Sequence, residues 1–323
     1  MTESNAFRAE YIGRINRVVN YIDAHLVEAL TLETLAEVAH FSPYHFHRLF
    51  TAITGETLAD CIRRRRLEIA AARLIGDQRN PVLNIALDVG FGSPEVFSRN
   101  FRQYFGVTPT AWRQGAWKEW ASSQSAELSK IRQADRKNRQ TIEQLLRKNA
   151  DAWHPRQEFQ GDCNMEVTLK NMPETFVAYL RHVGPYGTSG IPATWDQLNR
   201  WCITQGFGNP PHDMYGIGLD DPSITPPAQC RYDACVQISP GYKVSGEIGT
   251  QTLPGGLYAC ARFKGGQDSI GPAWQWMYAE WLPGSGYQCD ARPHLELYPG
   301  DINCMPEPGI YICDICIPIK KLG

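Results

Sequence analysis

At 323 residues the chain is longer than one ordinary domain, and two are expected. With 43% apolar and 20% charged residues it has the make-up of a folded globular protein, and no apolar run is long enough to span a bilayer, which argues against a membrane partner. The formal charge of −2 is unevenly spread: residues 1–162 carry 22 Lys+Arg against 19 Asp+Glu, and residues 163–323 carry 10 against 15, so a mildly basic half precedes an acidic one.

The opening MTESNAFRAE has no apolar signal-peptide core, and a cytoplasmic location is expected. Tyr11 to Leu26 reads as a helix with Ile15, Val18, Val19 and Ile22 on one stripe. Thr31 caps a short helix ending near Ala39. Phe41 to Gly55, FSPYHFHRLFTAITG, then returns as Phe91 to Gly106, FGSPEVFSRNFRQYFG. Ser42-Pro43, Phe46, Arg48, Phe50 and Gly55 recur at an offset of 51; Ala36 and Phe41 recur at 50, so Gly92 is a one-residue insertion. Ser followed by Pro is a helix start, and each copy reads as short helix, turn, longer helix.

In the first longer helix Phe46, Leu49, Phe50 and Ile53 fall at helical spacing and should face a core, leaving Tyr44, His47, Arg48 and Thr51 outward, with His45 beside them as a packing or phosphate-contacting residue. In the second, Phe97, Phe101, Tyr104 and Phe105 go inward, and Glu95, Ser98, Arg99 and Arg102 outward. Two helix-turn-helix units with Arg-bearing outer faces point to a DNA reader.

Between the copies, Thr57 caps a long helix to about Ile75 that carries Arg63-Arg64-Arg65-Arg66. Four successive arginines point all round a helix, so only some of them can meet phosphate; the alternative is a solvated face. Pro81 opens the second unit, and Thr108-Pro109 begins a closing helix with Trp112 as core. Residues 116–162 read as a helical connector with Leu128, Ile131, Ile142, Leu145 and Leu146, ending in a loop from Trp153 to Asp162. Sustained heptads are missing, which favours a spacer over a dimerising coil.

From Met165 the texture changes to alternating strands and Pro/Gly turns. A second repeat, about 80 residues long, relates Met172-Pro173 to Leu253-Pro254, Ala178 to Ala259, Arg181 to Arg262 and Gly184 to Gly265. Gly206-Phe207 likewise matches Gly286-Tyr287, and Tyr215 to Leu219 lies over Leu295 to Pro299. Each unit reads strand, helix, strand, strand. The second unit's helix sets Trp274, Met277, Tyr278 and Trp281 on one face. In Pro293 to Tyr298, PHLELY, strand parity places Leu295 and Leu297 on one face and Glu296 and Tyr298 on the other. The repeat-related positions are Gly216 and Gly218, so one repeat offers a carboxylate and a phenol while the other leaves space. A carboxylate beside aromatic rings suits an organic cation; the alternative is a solvated Glu296 with an Arg partner. Ten cysteines form no disulfide or zinc framework. Cys313 and Cys316 should point to opposite faces of a strand, as buried thiols, and neither a metal nor a cofactor is expected.

Residues 8–115, through LAEVAHFSPYHFHRLFTAITG, IRRRRLEIAAARLI and IALDVGFGSPEVFSRNFRQYFGVTPTAWR, resemble the DNA-binding domain of the AraC/XylS family of transcriptional regulators. The resemblance implies an all-α double helix-turn-helix domain over 1–115 that places its two longer helices in successive major-groove segments of double-stranded DNA, with RNA polymerase a further candidate partner. Pro94 and Glu95 depart from amide side chains used by some relatives. LRHVGPY (180–186), with Trp195, Leu198 and Trp201 after it, Leu219-Asp220-Asp221-Pro222 and PHLELY resemble the GyrI-like ligand-binding domain. That resemblance implies an α+β domain over 163–323 of two pseudosymmetric βαββ repeats around a groove for drug-like, often cationic and aromatic effectors, with Glu296 as the groove glutamate. Tyr298, Tyr186, Trp195, Trp274, Tyr278 and Trp281 are the other candidate groove residues.

The whole reads as a non-enzymatic one-component regulator. The alternative is a GyrI-like protein that sequesters or hydrolyses a ligand in drug or toxin resistance; no nucleophile–base pair is visible in the sequence, and no catalytic residue is assigned.

Overall fold

The computed structural model describes residues 3–147, 165–207, 212–266, 269–307 and 309–321. It divides into two compact units. One comprises Met1–Glu127 with Asp221–Pro226 and Ser245–Gly249; the other comprises Leu128–Asp220, Pro227–Val244 and Thr250–Gly323.

The first unit is helical: α1 (Glu3–Ala24), α2 (Leu32–Val38), α3 (Pro43–Thr54), α4 (Leu58–Gly76), α5 (Val82–Asp88) and α6 (Pro94–Phe105). The repeat is reproduced residue for residue in length, 7 residues in α2 and α5 and 12 in α3 and α6. α3 and α6 each begin with Pro after a Ser N-cap and end on a left-handed glycine, Gly55 (φ 78°) and Gly106 (φ 77°), as a helix C-terminus without a Cβ allows. Phe46 and Phe50 are buried in one apolar cluster, and Phe97 and Phe101 in another, so each copy has its own core. Trp112 is fully buried and donates its indole N–H to the Ala71 carbonyl at 3.1 Å. Ile53, expected inside, is 37% exposed, because the last turn before Gly55 has run past the core.

The arginine run is neither a solvated face nor largely available to phosphate. Arg64 pairs with Glu56 at 2.5 Å and Glu68 at 3.1 Å, and Arg65 pairs with Asp23 at 2.9 Å and Glu68 at 2.8 Å. Arg66 donates to the carbonyls of Leu26 and Glu28. Arg63, paired with Asp60 on its own helix, is the exposed member. Steps of 100° do send four successive side chains all round α4, but protein covers most of that circumference.

After α6, α7 (Pro109–Ala111) runs into a π-turn over Trp112–Ala116 that breaks at Gly115 (φ 115°). α8 (Trp117–Arg147) follows for 31 residues with Leu128 buried. The connector is therefore helical as far as 147; the loop expected at 153–162 lies outside the described residues.

The second unit contains β1 (Val167–Met172), β2 (Thr175–Val183), α9 (Gly190–Gln205), β3 (Met214–Gly218), β4 (Arg231–Gln237), β5 (Gly249–Leu253), β6 (Gly256–Gly265), α10 (Ile270–Trp276), β7 (Tyr287–Cys289), β8 (Leu295–Tyr298) and β9 (Tyr311–Lys321). The sheet order is β1-β6-β9-β8-β3-β4-β2-β5. It is a palindrome once each strand is equated with its repeat mate. The predicted βαββ units are present, each preceded by a further strand lent to the other repeat: β1 pairs with β6 and β5 neighbours β2. At the centre β3 and β8 run antiparallel with Gly216 opposite Glu296, so the two repeat-related positions meet directly.

The repeats also share an ion pair. Arg181 and Asp233 are cross-strand partners joined by two contacts of 2.7 Å, both side chains buried. Their mates, Arg262 and Asp314, are likewise cross-strand and paired, but Arg262 is 52% exposed and Asp314 also binds Lys170 at 2.8 Å. Cys316 belongs to the apolar cluster on one sheet face and Cys313 to that on the other, and both are free thiols.

Candidate functional site

Two sets of residues carry chemistry, one in each unit. On α3 and α6 the phenylalanines take the inner face, which leaves His47, Arg48, Thr51, Glu95, Arg99 and Arg102 exposed and Ser98 half-buried. Thr51 donates its hydroxyl to the His47 carbonyl at 3.0 Å, which ties it to the helix backbone. The side chains of Tyr44 and His45 lie outside the described residues. Each outer face thus presents an arginine at the matching position, with donors that suit base edges and phosphates.

In the second unit the parity expected of PHLELY holds. Leu295 and Leu297 join the apolar cluster of one sheet face, and Glu296 looks out of the other. Its carboxylate accepts hydrogen bonds from the hydroxyls of Tyr232 (2.8 Å) and Tyr298 (3.0 Å) and from the Trp274 indole N–H (3.4 Å). Among the described residues no cationic side chain pairs with it, so the expected alternative of an Arg partner is set aside. Desolvation raises the Glu296 pKa above the usual carboxylate value, and the three donors offset only part of that. Burial and the neighbouring carboxylate push both phenols well up, so they remain neutral donors.

Trp195, on α9, donates to the Tyr232 hydroxyl at 3.2 Å and meets the Tyr298 ring edge-on at 5.2 Å. Opposite it, Tyr278 stacks with Trp274 at 6.3 Å, and His294 meets Trp274 edge-on at 5.0 Å. Trp274 and His294 are half-buried and Tyr278 is exposed, so this side of the cluster borders solvent. The arrangement is a carboxyl group lined by π-faces and neutral donors.

Two candidates stand apart from the carboxylate. Tyr186 donates its hydroxyl to the Arg231 carbonyl at 2.5 Å and so pins the 219–231 loop, with only its ring turned edgewise to Tyr232 at 6.4 Å. Trp281 packs on the apolar cluster around Met277 and Ile319, as Trp274 and Tyr298 also do, and is not among the three hydrogen-bond donors to the carboxylate. Between Trp274 and Trp281 the helix widens to a π-turn over Met277–Trp281. Tyr232 and His294 were not anticipated. The one available signal for Tyr232 was its parity in RYDACVQ, where it is the sole phenol on a face shared with Ala234 and Val236.

Gly216 is required by this geometry. A Cβ there would overlap the Tyr232 hydroxyl and come within 2.6 Å of a Glu296 carboxylate oxygen. The space left by the glycine is taken by the Tyr232 hydroxyl and its hydrogen bond to Glu296. Gly216→Ala should therefore cost about 1–3 kcal/mol in urea unfolding through overpacking. An unchanged midpoint would mean that the Tyr232–Glu296 contact can shift without cost.

Residues 35–115 match a helix-turn-helix domain, and residues 165–320 match the GyrI-like small molecule binding domain. The chain is 37% identical over 99 residues to the regulatory protein SoxS of Escherichia coli, spanning 31% of this chain and 92% of SoxS. It is 28% identical over 157 residues to the SPbeta prophage-derived protein YosT of Bacillus subtilis, spanning 48% of this chain and all of YosT. Among solved structures it is similar to the DNA-binding domain of AdpA in complex with a target DNA, at 31% identity and a TM-score of 0.30, covering 31% of this chain and 90% of that one. The chain belongs to the AraC/XylS family of transcriptional regulators and carries a GyrI-like small-molecule-binding domain behind its helix-turn-helix half.

Proposed function

We propose that residues 1–115 read two adjacent major-groove segments of promoter DNA through α3 and α6, that 116–162 connect, and that 163–323 bind a small aromatic cation at Glu296. The chain acts as a cytoplasmic, non-enzymatic one-component regulator, with RNA polymerase as its downstream partner. The observation that carries the effector class is the Glu296 carboxylate, held by Tyr232, Tyr298 and Trp274 without a cationic side-chain partner among the described residues. Footprinting the upstream region of the chain's own gene, with and without a panel of cationic aromatic dyes, tests the whole reading. Absence of protection, or a footprint indifferent to every dye, counts against it. Recovery of chemically altered dye would replace binding with catalysis.

Base reading makes a narrower prediction. Arg48→Ala and Arg99→Ala should each cost about 1–3 kcal/mol in specific binding if each arginine meets a guanine. The two losses should map to half-sites about 34 Å apart. Uniform weakening on all sequences would make both arginines phosphate contacts.

A further inference from the structure

Each helix-turn-helix half buries its own phenylalanine cluster, and α4 runs between them with Ile69 packed against both, so what α4 carries bears on the angle between the halves. On one side of α4 lies Glu68, 4% exposed. It accepts from Arg64 at 3.1 Å, from Arg65 at 2.8 Å and from the Tyr104 hydroxyl at 3.3 Å. Tyr104 sits on α6. Arg64 also grips Glu56, just past α3, and Arg65 grips Asp23 on α1. One buried carboxylate thus links the second reading helix to the end of the first and to the helix behind it.

On another side of α4, Arg66 spans the joint a second time. Its guanidinium donates to the carbonyls of Leu26 (2.9 Å) and Glu28 (3.3 Å) in the turn before α2. It also lies against Gly90, in the turn between α5 and α6, where φ is 88°. A Cβ on Gly90 would come within 2.5 Å of the Leu26 carbonyl oxygen and 2.9 Å of Arg66 Cζ, so backbone and guanidinium meet closely there. Beside this contact is a cleft of about 470 Å³ lined by Leu30, Ile62, Arg66, Gly90, Phe91 and Val96 among others. A cleft thus remains beside this contact, and polar arms cross the joint alongside the Ile69 packing.

From this geometry we infer that Arg64, Arg65, Arg66, Glu68 and Tyr104 are positioning residues for DNA reading, which fix the separation and rotation of α3 and α6 and hence the half-site spacing that the chain accepts. The inference rests on the DNA reading proposed above. One added base pair moves a half-site by about 3.4 Å and turns it by about a tenth of a helical turn. A stiff joint cannot follow both displacements at once, whereas a loosened one recovers part of the lost contact.

The test uses the full chain and a duplex that the wild type enriches from a random-sequence pool, remade with one base pair inserted or deleted between its half-sites. Wild type should bind the altered spacings at least about 30-fold more weakly, within the range of one or two lost base contacts. Arg66→Met keeps the alkyl stem, and Tyr104→Phe keeps the ring and drops one hydrogen bond. Each should shrink the spacing penalty by about threefold or more while leaving base preference unchanged. Arg63→Met, which removes an exposed arginine paired within α4, should weaken native and altered spacings alike. A phosphate contact or a general loss of stability lowers all affinities together, so the ratio between spacings isolates positioning. If Arg66→Met does not fold, Tyr104→Phe decides the matter. Folded variants that keep the full penalty overturn the inference while the DNA reading stands. A wild-type chain that enriches no sequence removes the DNA reading, and the inference with it.

Discussion

Arg181→Met should lower the unfolding free energy by about 3–5 kcal/mol, whereas Arg262→Met, at the repeat-related position, should lower it by about 1 kcal/mol or less. The residues and the pairing are the same in both repeats; the surroundings differ. Arg181 and Asp233 are 2% and 0% exposed and meet through two parallel contacts. Without the guanidinium, Asp233 stays buried with one Gln251 amide contact at 3.3 Å, and an unpaired buried carboxylate is costly. Asp314 would keep Lys170, and Arg262 stands half in water, where screening removes most of an ion pair's worth. Urea denaturation of the two variants measures the difference. Equal losses would show that sheet position, not desolvation, sets the strength of these pairs.

What could be read in advance follows from how local each signal is. The double helix-turn-helix was legible because Ser-Pro starts, phenylalanine spacing and terminal glycines act within one helix and recur at a fixed offset. The side on which Glu296 lies was legible because a strand has period two. The ion pairs of the arginine run were not legible because the partners Asp23, Glu56 and Glu68 are brought to α4 by tertiary packing, and the sequence pattern carries only the charges. The exchange of β1 and β5 was invisible for the same reason: a strand's alternation says which face is buried and not which neighbour it takes. The π-turn over Met277–Trp281 was not legible, because it shifts helical phase without a residue type that announces it. Tyr232 sits on a strand whose other side holds the Arg181–Asp233 pair, and only the register opposite Gly218 brings its hydroxyl to Glu296.

Glu296→Gln should weaken a permanently charged N-methylated heteroaromatic dye by about 2–5 kcal/mol, as expected when one partner of a desolvated charge pair is removed, and should leave an uncharged isostere nearly unaffected. Gln keeps the shape, and its one amide oxygen can still accept from Tyr232 and Tyr298 while its NH2 turns toward the Trp274 N–H; the uncharged isostere meets the same lost contact, so the difference between the two ligands isolates charge. The pH dependence supplies an independent check. Burial raises the Glu296 pKa in the folded chain above its ordinary value, the donors from Tyr232, Tyr298 and Trp274 notwithstanding. Relative to an ordinary carboxyl group, the site without a cation is therefore shifted toward the protonated acid. That contribution to stability is complete below the ordinary pKa and is lost as pH rises through the raised one. A bound cation reverses the preference, since only the ionised carboxylate attracts it. Cation affinity should then fall as pH drops through the raised pKa, with proton release on binding in that range. Calorimetry in buffers of different ionisation enthalpy reads the released proton directly. Glu296→Gln should flatten the pH profile and abolish the release. A variant that binds dye and isostere with equal losses, or that keeps the wild-type profile, would remove Glu296 from the effector site.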